Sequence, residues 1–224
     1  MSFGLSRGRE QEFGGFGLDR EDLPPIEGGP WDPRRLFDHP ERPFELEIGS
    51  GKGTFLVQQA VLQPETNFLG IEWAGEFFRY AADRIRRRGM ANVRMLHEDA
   101  TEVAVHRLPA ACCRVVHLYF SDPWPKSRHH KRRVLQDATL EAFHRILVRD
   151  GELRLVTDHD DLWSWYEEHA ERHRALFDRG EFERPASAGE GEVVGTNFER
   201  KFRREGRPFH AMTLRRLPRS GEVA

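Results

Sequence analysis

Tyr119–Arg133, YFSDPWPKSRHHKRR, puts three kinds of chemistry in one short stretch. Asp122 is a carboxylate in a segment that resists helix. Pro123 and Pro125 fix φ and restrict the residues before them, so Ser121–Pro125 is a stiff turn. Trp124 adds a flat aromatic face to it. Lys126, Arg128, Lys131, Arg132 and Arg133 follow with no acid among them. A carboxylate suits the edge of a nucleobase, a ring its face, and cations the phosphates beside it. Taken alone, the basic run reads equally as a solvated face before a helix. The combination favours RNA, with Arg128, Lys131, Arg132 and Arg133 as phosphate contacts. His129 and His130 are adjacent and flanked by bases, a poor arrangement for a metal, so no metal is expected.

A strand must bring Asp122 to its place. Val115–Phe120 is short, β-branched and aromatic, and reads as buried β structure. The same pattern predicts strands at Phe44–Ile48, Asn67–Ile71, Asn92–Leu96 and Glu152–Thr157. Helices are predicted over Thr54–Leu62, Gly75–Arg88, Val134–Leu147 and Asp161–Leu176. Asn197–Arg203 and Phe209–Arg216 are read as a terminal antiparallel hairpin. Alternating strands and helices imply a mostly parallel α/β sheet, which binds ligands beyond the carboxyl ends of its strands. Glu47, Glu72, Asp99, Asp122 and Asp158 all fall at or just past such ends, on one rim.

Gly49-Ser50-Gly51-Lys52-Gly53 lies in that rim and lets the backbone approach a ligand closely. A phosphate-binding P-loop would need glycine at Leu46 and a hydroxyl residue at Gly53. A dinucleotide site would need glycine at Thr54, and its pyrophosphate would face acids. S-adenosylmethionine carries a sulfonium and an ammonium and no phosphate. Acids then help: they can face its cations, accept from its ribose (Glu72) and accept from its adenine amine (Asp99). Gly49, Gly51, Glu47, Glu72, Asp99 and Asp122 are its candidate contacts.

The chain has 224 residues, enough for one domain with tails, and 38% of them are hydrophobic, enough for a single core. Its formal net charge of −2 means that nucleic-acid affinity must come from local patches. Residues 1–43 hold seven glycines and six prolines with little periodicity, and read as a flexible arm before a domain at 44–224. No apolar run is long enough for a membrane and the N-terminus shows no secretory apolar region, so a cytoplasmic protein is expected. Cys112 and Cys113 are adjacent and read as small apolar residues. The oligomeric state stays open between a monomer and a small homo-oligomer.

From about Phe44 onward the chain resembles the bacterial tRNA (guanine-N7)-methyltransferases. The motifs are Glu47-Ile48-Gly49-Ser50-Gly51-Lys52-Gly53, Gly70-Ile71-Glu72, Glu98-Asp99-Ala100, Asp122-Pro123-Trp124-Pro125-Lys126 with Arg128–Arg133, Thr157-Asp158-His159 and Thr196-Asn197-Phe198-Glu199. The resemblance implies a Rossmann-like, S-adenosylmethionine-dependent methyltransferase fold and tRNA as partner, with the variable-loop guanine as target. It implies cofactor contacts at Glu47, Glu72, Asp99 and Asp122, and Asp122 as the catalytic residue. It implies tRNA contacts at Lys126, Asp158, Thr196, Asn197, Phe198 and Glu199. Two departures stand out: Ser121 replaces a proline usual before the aspartate, and residues 1–43 match no motif.

Overall fold

From Phe44 onward, short apolar runs alternate with longer amphipathic segments, and the chain folds accordingly. The computed structural model describes residues 12–219 and 221–222. Its elements are β1 (Gly17–Asp19), β2 (Phe44–Ile48), α1 (Thr54–Leu62), β3 (Asn67–Ile71), α2 (Gly75–Arg87), β4 (Val93–His97) and α3 (Ala100–Glu102). There follow β5 (Cys113–Tyr119), α4 (Asp137–Ile146), β6 (Leu147–Thr157), α5 (Asp160–Arg172), β7 (Phe177–Gly180), α6 (Asn197–Arg204) and β8 (His210–Arg216).

The strands form one sheet in the order β1-β4-β3-β2-β5-β6-β8-β7. Strands β1 to β6 pair in parallel, and β8 is antiparallel to both β6 and β7. Both faces are covered, as a parallel sheet requires. On one face Phe68, Val93 and Met95 pack with Phe55, Leu56, Phe78 and Ile85 of α1 and α2. On the other, Leu69, Leu96, Val116 and Leu155 pack with Leu140 and Phe143 of α4 and Leu162 and Tyr166 of α5.

In β2 this alternation sends Leu46 and Ile48 to the second face. Glu45 and Glu47 occupy the alternate positions and are buried on the first. Glu45 is satisfied there: Arg114 donates to it, and His117 Nε2 lies 2.8 Å from its other oxygen.

Two expectations are corrected. Asn197–Arg203 is not a hairpin strand. It is helical, because Thr196 Oγ1 accepts from Glu199 N and starts a turn that Phe198 and Phe202, four residues apart, continue on one face. The antiparallel partners of β8 are β6 and β7 instead. Residues 12–43 are not a loose arm either. Gly17–Asp19 adds an edge strand beside β4, Phe13 meets the ring of Phe78 at 5.2 Å, and Leu23 and Phe37 are buried in the core. Gly17 is needed for that approach, since a Cβ there would lie 2.8 Å from Phe13 and 3.0 Å from Phe78. The part of the expected arm at 1–11 lies outside the described residues.

Candidate active site

The chain runs outward from β2 through β3 to β4, then returns to β5 on the other side of β2. The carboxyl ends of β2 and β5 therefore flank the point where the winding reverses, and ligands of such sheets bind there. Two turns meet at this point, Gly49–Gly53 after β2 and Ser121–Pro125 after β5. A cavity of about 360 Å³ opens between them.

The glycine turn is left-handed at Gly49 (φ 73°), Gly51 (φ 53°) and Gly53 (φ 64°). Residues with a Cβ are strained there, which is why the turn is built of glycine. Gly49 N and Ser50 N donate to Ile71 O, tying the turn to β3. Glu72 finishes the tie: its Oε2 accepts from Gly51 N at 2.7 Å and its Oε1 from Ala74 N at 2.8 Å. Burial pushes the Glu72 carboxyl up, the two amides pull it down, and the charge of Asp122 adds to the upward push. The charge of Asp122 thus reaches Glu72, and both line the cavity.

Glu47 lies beneath the turn with 4% of its surface exposed. Its Oε2 has no hydrogen-bond partner among the described residues. Burial pushes its carboxyl up to about 8; Ser50 opposes the shift and the charge of Glu72 reinforces it. Asp99, exposed in the cavity wall, caps α3 through Thr101 N at 2.8 Å. Its neighbour Glu98 is buried, lines the same cavity and pairs with Arg20 at 3.2 Å.

The Asp122 turn is braced from below. Phe120 (φ 53°) and Trp124 (φ 43°) hold left-handed conformations without being glycine, a strain that surrounding contacts must maintain. Phe120 N donates to Val156 O, and the Ser121 hydroxyl lies 2.8 Å from that of buried Tyr166. Ser121 thus supplies a tether where the resembled family has proline. Arg133 donates to Pro123 O at 2.9 Å and to the carboxylate of Asp161, with its guanidinium 5.0 Å over the Trp165 ring. Asp122 itself is exposed and lines the cavity.

Arg133 is therefore a correction to the expected phosphate contacts: at 2% exposure it is an internal brace. Lys126, Arg128, Lys131 and Arg132 are exposed, on and beside a 3₁₀ turn over Ser127–Arg132. Arg132 lies 4.9 Å over the Trp124 ring, and both line the cavity. His129 packs on the edge of Trp124 and His130 on Trp165. Among the described residues no group of three His, Cys, Asp or Glu could hold a metal, and no helix is long and apolar enough to cross a membrane.

The remaining expected contacts divide. Phe198 is 43% exposed and lines the cavity, 3.5 Å from where a Cβ on Gly51 would be. Thr196 caps α6, and Asn197 Nδ2 donates to Thr54 Oγ1 at 2.8 Å. Glu199 is fully buried. It accepts from Val193 N, Val194 N, Gly195 N and the Arg203 guanidinium, so every lone pair it can offer a substrate is used within the fold. Asp158 is paired with Arg207 at 2.7 Å and lies outside the cavity wall. The cavity also includes Trp73, 69% exposed, with Phe77 and Thr101, which the sequence reading missed. Trp73 directly follows Glu72 at a strand end, and that position was the available signal.

The donor set fits a cationic, hydroxyl-bearing ligand. A buried carboxyl with one oxygen unpartnered among the described residues, Glu72, and exposed Asp99 and Asp122 border a turn whose backbone can be approached closely. A pyrophosphate would be repelled there.

Residues 41–212 match a protein-family model described as "Putative methyltransferase". The chain is 33% identical over 196 residues to a tRNA (guanine-N(7)-)-methyltransferase of Geobacillus kaustophilus, covering 88% of each chain. It is 38% identical over 169 residues to one of Alkalilimnicola ehrlichii, covering 75% of this chain and 68% of that one. In shape it is similar to the aminoglycoside resistance methyltransferase NpmB1, with a TM-score of 0.55, 18% identity and coverage of 79% and 88% of the two chains. At that identity the likeness shows the fold alone.

Proposed function

The chain belongs to the tRNA (guanine-N(7)-)-methyltransferase family, and we propose that it moves a methyl group from S-adenosylmethionine to N7 of the variable-loop guanine of tRNA. The observation that carries this reading is Asp122, an exposed carboxylate on a braced turn in the same cavity wall as Gly49, Gly51, Glu72 and Asp99. S-adenosylmethionine supplies, when bound, an electrophilic methyl group on a sulfonium. Guanine N7 offers an in-plane lone pair, so the N–C bond forms as the S–C bond breaks. The positive charge passes to the purine and no proton is lost. The protein needs to position and stabilise charge rather than supply a base.

In this reading Glu47 and Asp122 face the cofactor's cations, Glu72 and Asp99 its ribose hydroxyls and adenine amine, and Gly49 and Gly51 allow the close approach. Asp122 also accepts from guanine N1–H and its exocyclic amine. That selects guanine and favours the charge developing on its ring. Phe198 covers the mouth of the cavity, with Thr196, Asn197 and Glu199 holding the turn that presents it. Lys126, Arg128, Lys131 and Arg132 meet phosphates, and Asp158 reaches the RNA once released from Arg207.

The test is incubation with methyl-labelled S-adenosylmethionine and unmodified tRNA, followed by borohydride reduction and aniline cleavage. Scission at the variable-loop guanine is expected. Label on another base, or none on tRNA, overturns the reading.

A further inference from the structure

Beside the active-site cavity, on the face covered by α1 and α2, runs a larger groove of about 950 Å³. Lys52, Arg84, Arg87, Arg88 and Arg200 line its walls, and among the described residues no acidic side chain does. In a chain with a formal net charge of −2, this is a strong local concentration of one sign. Arg87 pairs with Asp83 at 2.9 Å and Arg200 with Glu192 at 2.6 Å. Arg84 is anchored by neutral oxygens, Lys52 O at 3.1 Å and Thr54 Oγ1 at 3.2 Å. Burial, then the charges of Arg88 and Arg87, disfavour its charged form. A polyanion in the groove would relieve that crowding.

The groove adjoins the cavity. Lys52 sits in the glycine turn next to Gly51, which lines the cavity, and Asn197 lines the groove while Phe198 lines the cavity. The basic turn at 126–132 borders the cavity through Arg132. A nucleotide held in the cavity has chain leaving it in two directions. The basic turn stands on one side of the cavity and this groove on another.

We infer that the groove between α1, α2 and α6 binds the phosphodiester backbone of the substrate RNA on the side away from the 126–132 turn, through Lys52, Arg84, Arg87, Arg88 and Arg200. The inference rests on the proposed tRNA reading. It assigns a second electrostatic contact to that substrate, independent of the Asp122 turn.

Arg87→Gln/Arg88→Gln tests it in the full-length protein, since both side chains are exposed and their loss should leave the core intact. With tRNA, the slope of log Kd against log salt should become shallower by about 1.4–1.8, for two lost phosphate contacts at roughly 0.7–0.9 each. Affinity at 0.15 M salt should fall on the order of tenfold. KM for tRNA should rise while kcat at saturating tRNA and cofactor affinity stay at wild-type values. A second readout does not depend on charge removal: a photo-crosslinking residue in place of Val61, 64% exposed in the groove, should capture tRNA. Wild-type salt slope and affinity, or absence of the crosslink, overturn the groove assignment. If the wild-type protein methylates tRNA while the groove variants bind normally, the groove inference alone fails. If the wild type does not methylate tRNA, the functional reading fails first.

Discussion

Two buried glutamates flank the cavity and differ in one respect. Glu199, at the start of α6, is fully enclosed and receives three backbone amides and the Arg203 guanidinium. Glu47, at the end of β2, is 4% exposed and has an oxygen with no partner among the described residues. Burial pushes both carboxyls up. The amides of Val194 and Val193, with Arg203 and Gly195, reverse this for Glu199 and hold it below its ordinary value. For Glu47 burial wins and the carboxyl rises to about 8. A fold that can satisfy a buried acid so completely at one turn leaves an oxygen of the other without a partner among the described residues, directly before Ile48 and Gly49, which line the cavity. The contrast separates an acid whose hydrogen bonds are all made within the fold from one that the proposed reading assigns to the cofactor.

The difference predicts opposite pH dependences. The unfolded chain releases the Glu47 proton near the usual carboxylate pKa, whereas the ligand-free fold holds it to about 8. Between those values the folded state binds more protons, so stability falls as pH rises, by about 1.4 kcal/mol per unit. From pH 5 to 8 that amounts to on the order of 4 kcal/mol. Glu199 works the other way: its contribution is full above the ordinary carboxylate pKa and is lost as pH falls through its lowered one. Urea unfolding of the ligand-free wild type and Glu47→Gln at pH 5 to 8 checks the first half. The two stability curves should converge at low pH and separate as pH rises, with the variant the more stable; parallel curves would remove Glu47 from this role.

Asp122 extends the contrast to an exposed acid. Asparagine keeps its size and one acceptor but loses the charge. Single-turnover methylation at saturating cofactor and tRNA should slow ten- to a thousandfold, about 1.4–4 kcal/mol of barrier. Thermal stability should stay within about 0.5 kcal/mol of wild type. An unchanged rate with a lowered melting temperature would make Asp122 a turn-former only.

Much of this site is legible in the sequence. Phe44–Ile48, Thr54–Leu62 and Asn67–Ile71 stand where their apolar patterns put them, and their order gathers Glu72, Asp99 and Asp122 in one cavity wall. Such patterns report which face is buried, and that is what a parallel sheet needs. The brace under Asp122 is not legible, because Tyr166 and Asp161 lie far along the chain from Ser121 and Arg133 and only folding joins them. Nor is β1, whose three residues are too few to show a period. α6 is a different kind of miss. Thr196 and Glu199 have the spacing of a helix start and Phe198 and Phe202 that of a helical face, but the flanking strand pattern dominated the reading.

Glu199→Gln sharpens the comparison from the satisfied side. The amide turns an NH₂ towards groups that already donate, so charge-assisted bonds are lost and a donor is opposed by donors. A loss of about 2 kcal/mol of stability is expected in urea unfolding at pH 7. Activity of the folded fraction should be less affected. A variant as stable as wild type, with KM for tRNA raised, would return Glu199 to the substrate and break the distinction.

The smallest effect separates neighbours in the chain. Arg132 and Arg133 are identical in type, and one is exposed over Trp124 while the other is buried beneath Pro123. Arg132→Gln removes a cation from the mouth of the cavity and touches nothing in the core. Its cost should lie in binding alone, under about 1 kcal/mol, with the salt slope for tRNA shallower by roughly 0.7–0.9, one phosphate contact. Arg133→Gln should behave differently. It frees the Pro123 carbonyl and uncovers the Trp165 ring, so stability and the methylation rate should fall together while the salt slope stays at its wild-type value. Arg133 makes no contact with solvent that a phosphate can replace, and its partners are a backbone carbonyl, a ring and Asp161. Fluorescence anisotropy of labelled tRNA over a salt series, read beside melting curves, distinguishes the two. If Arg133→Gln lowered the slope and Arg132→Gln lowered stability, the assignment of brace and contact would be reversed.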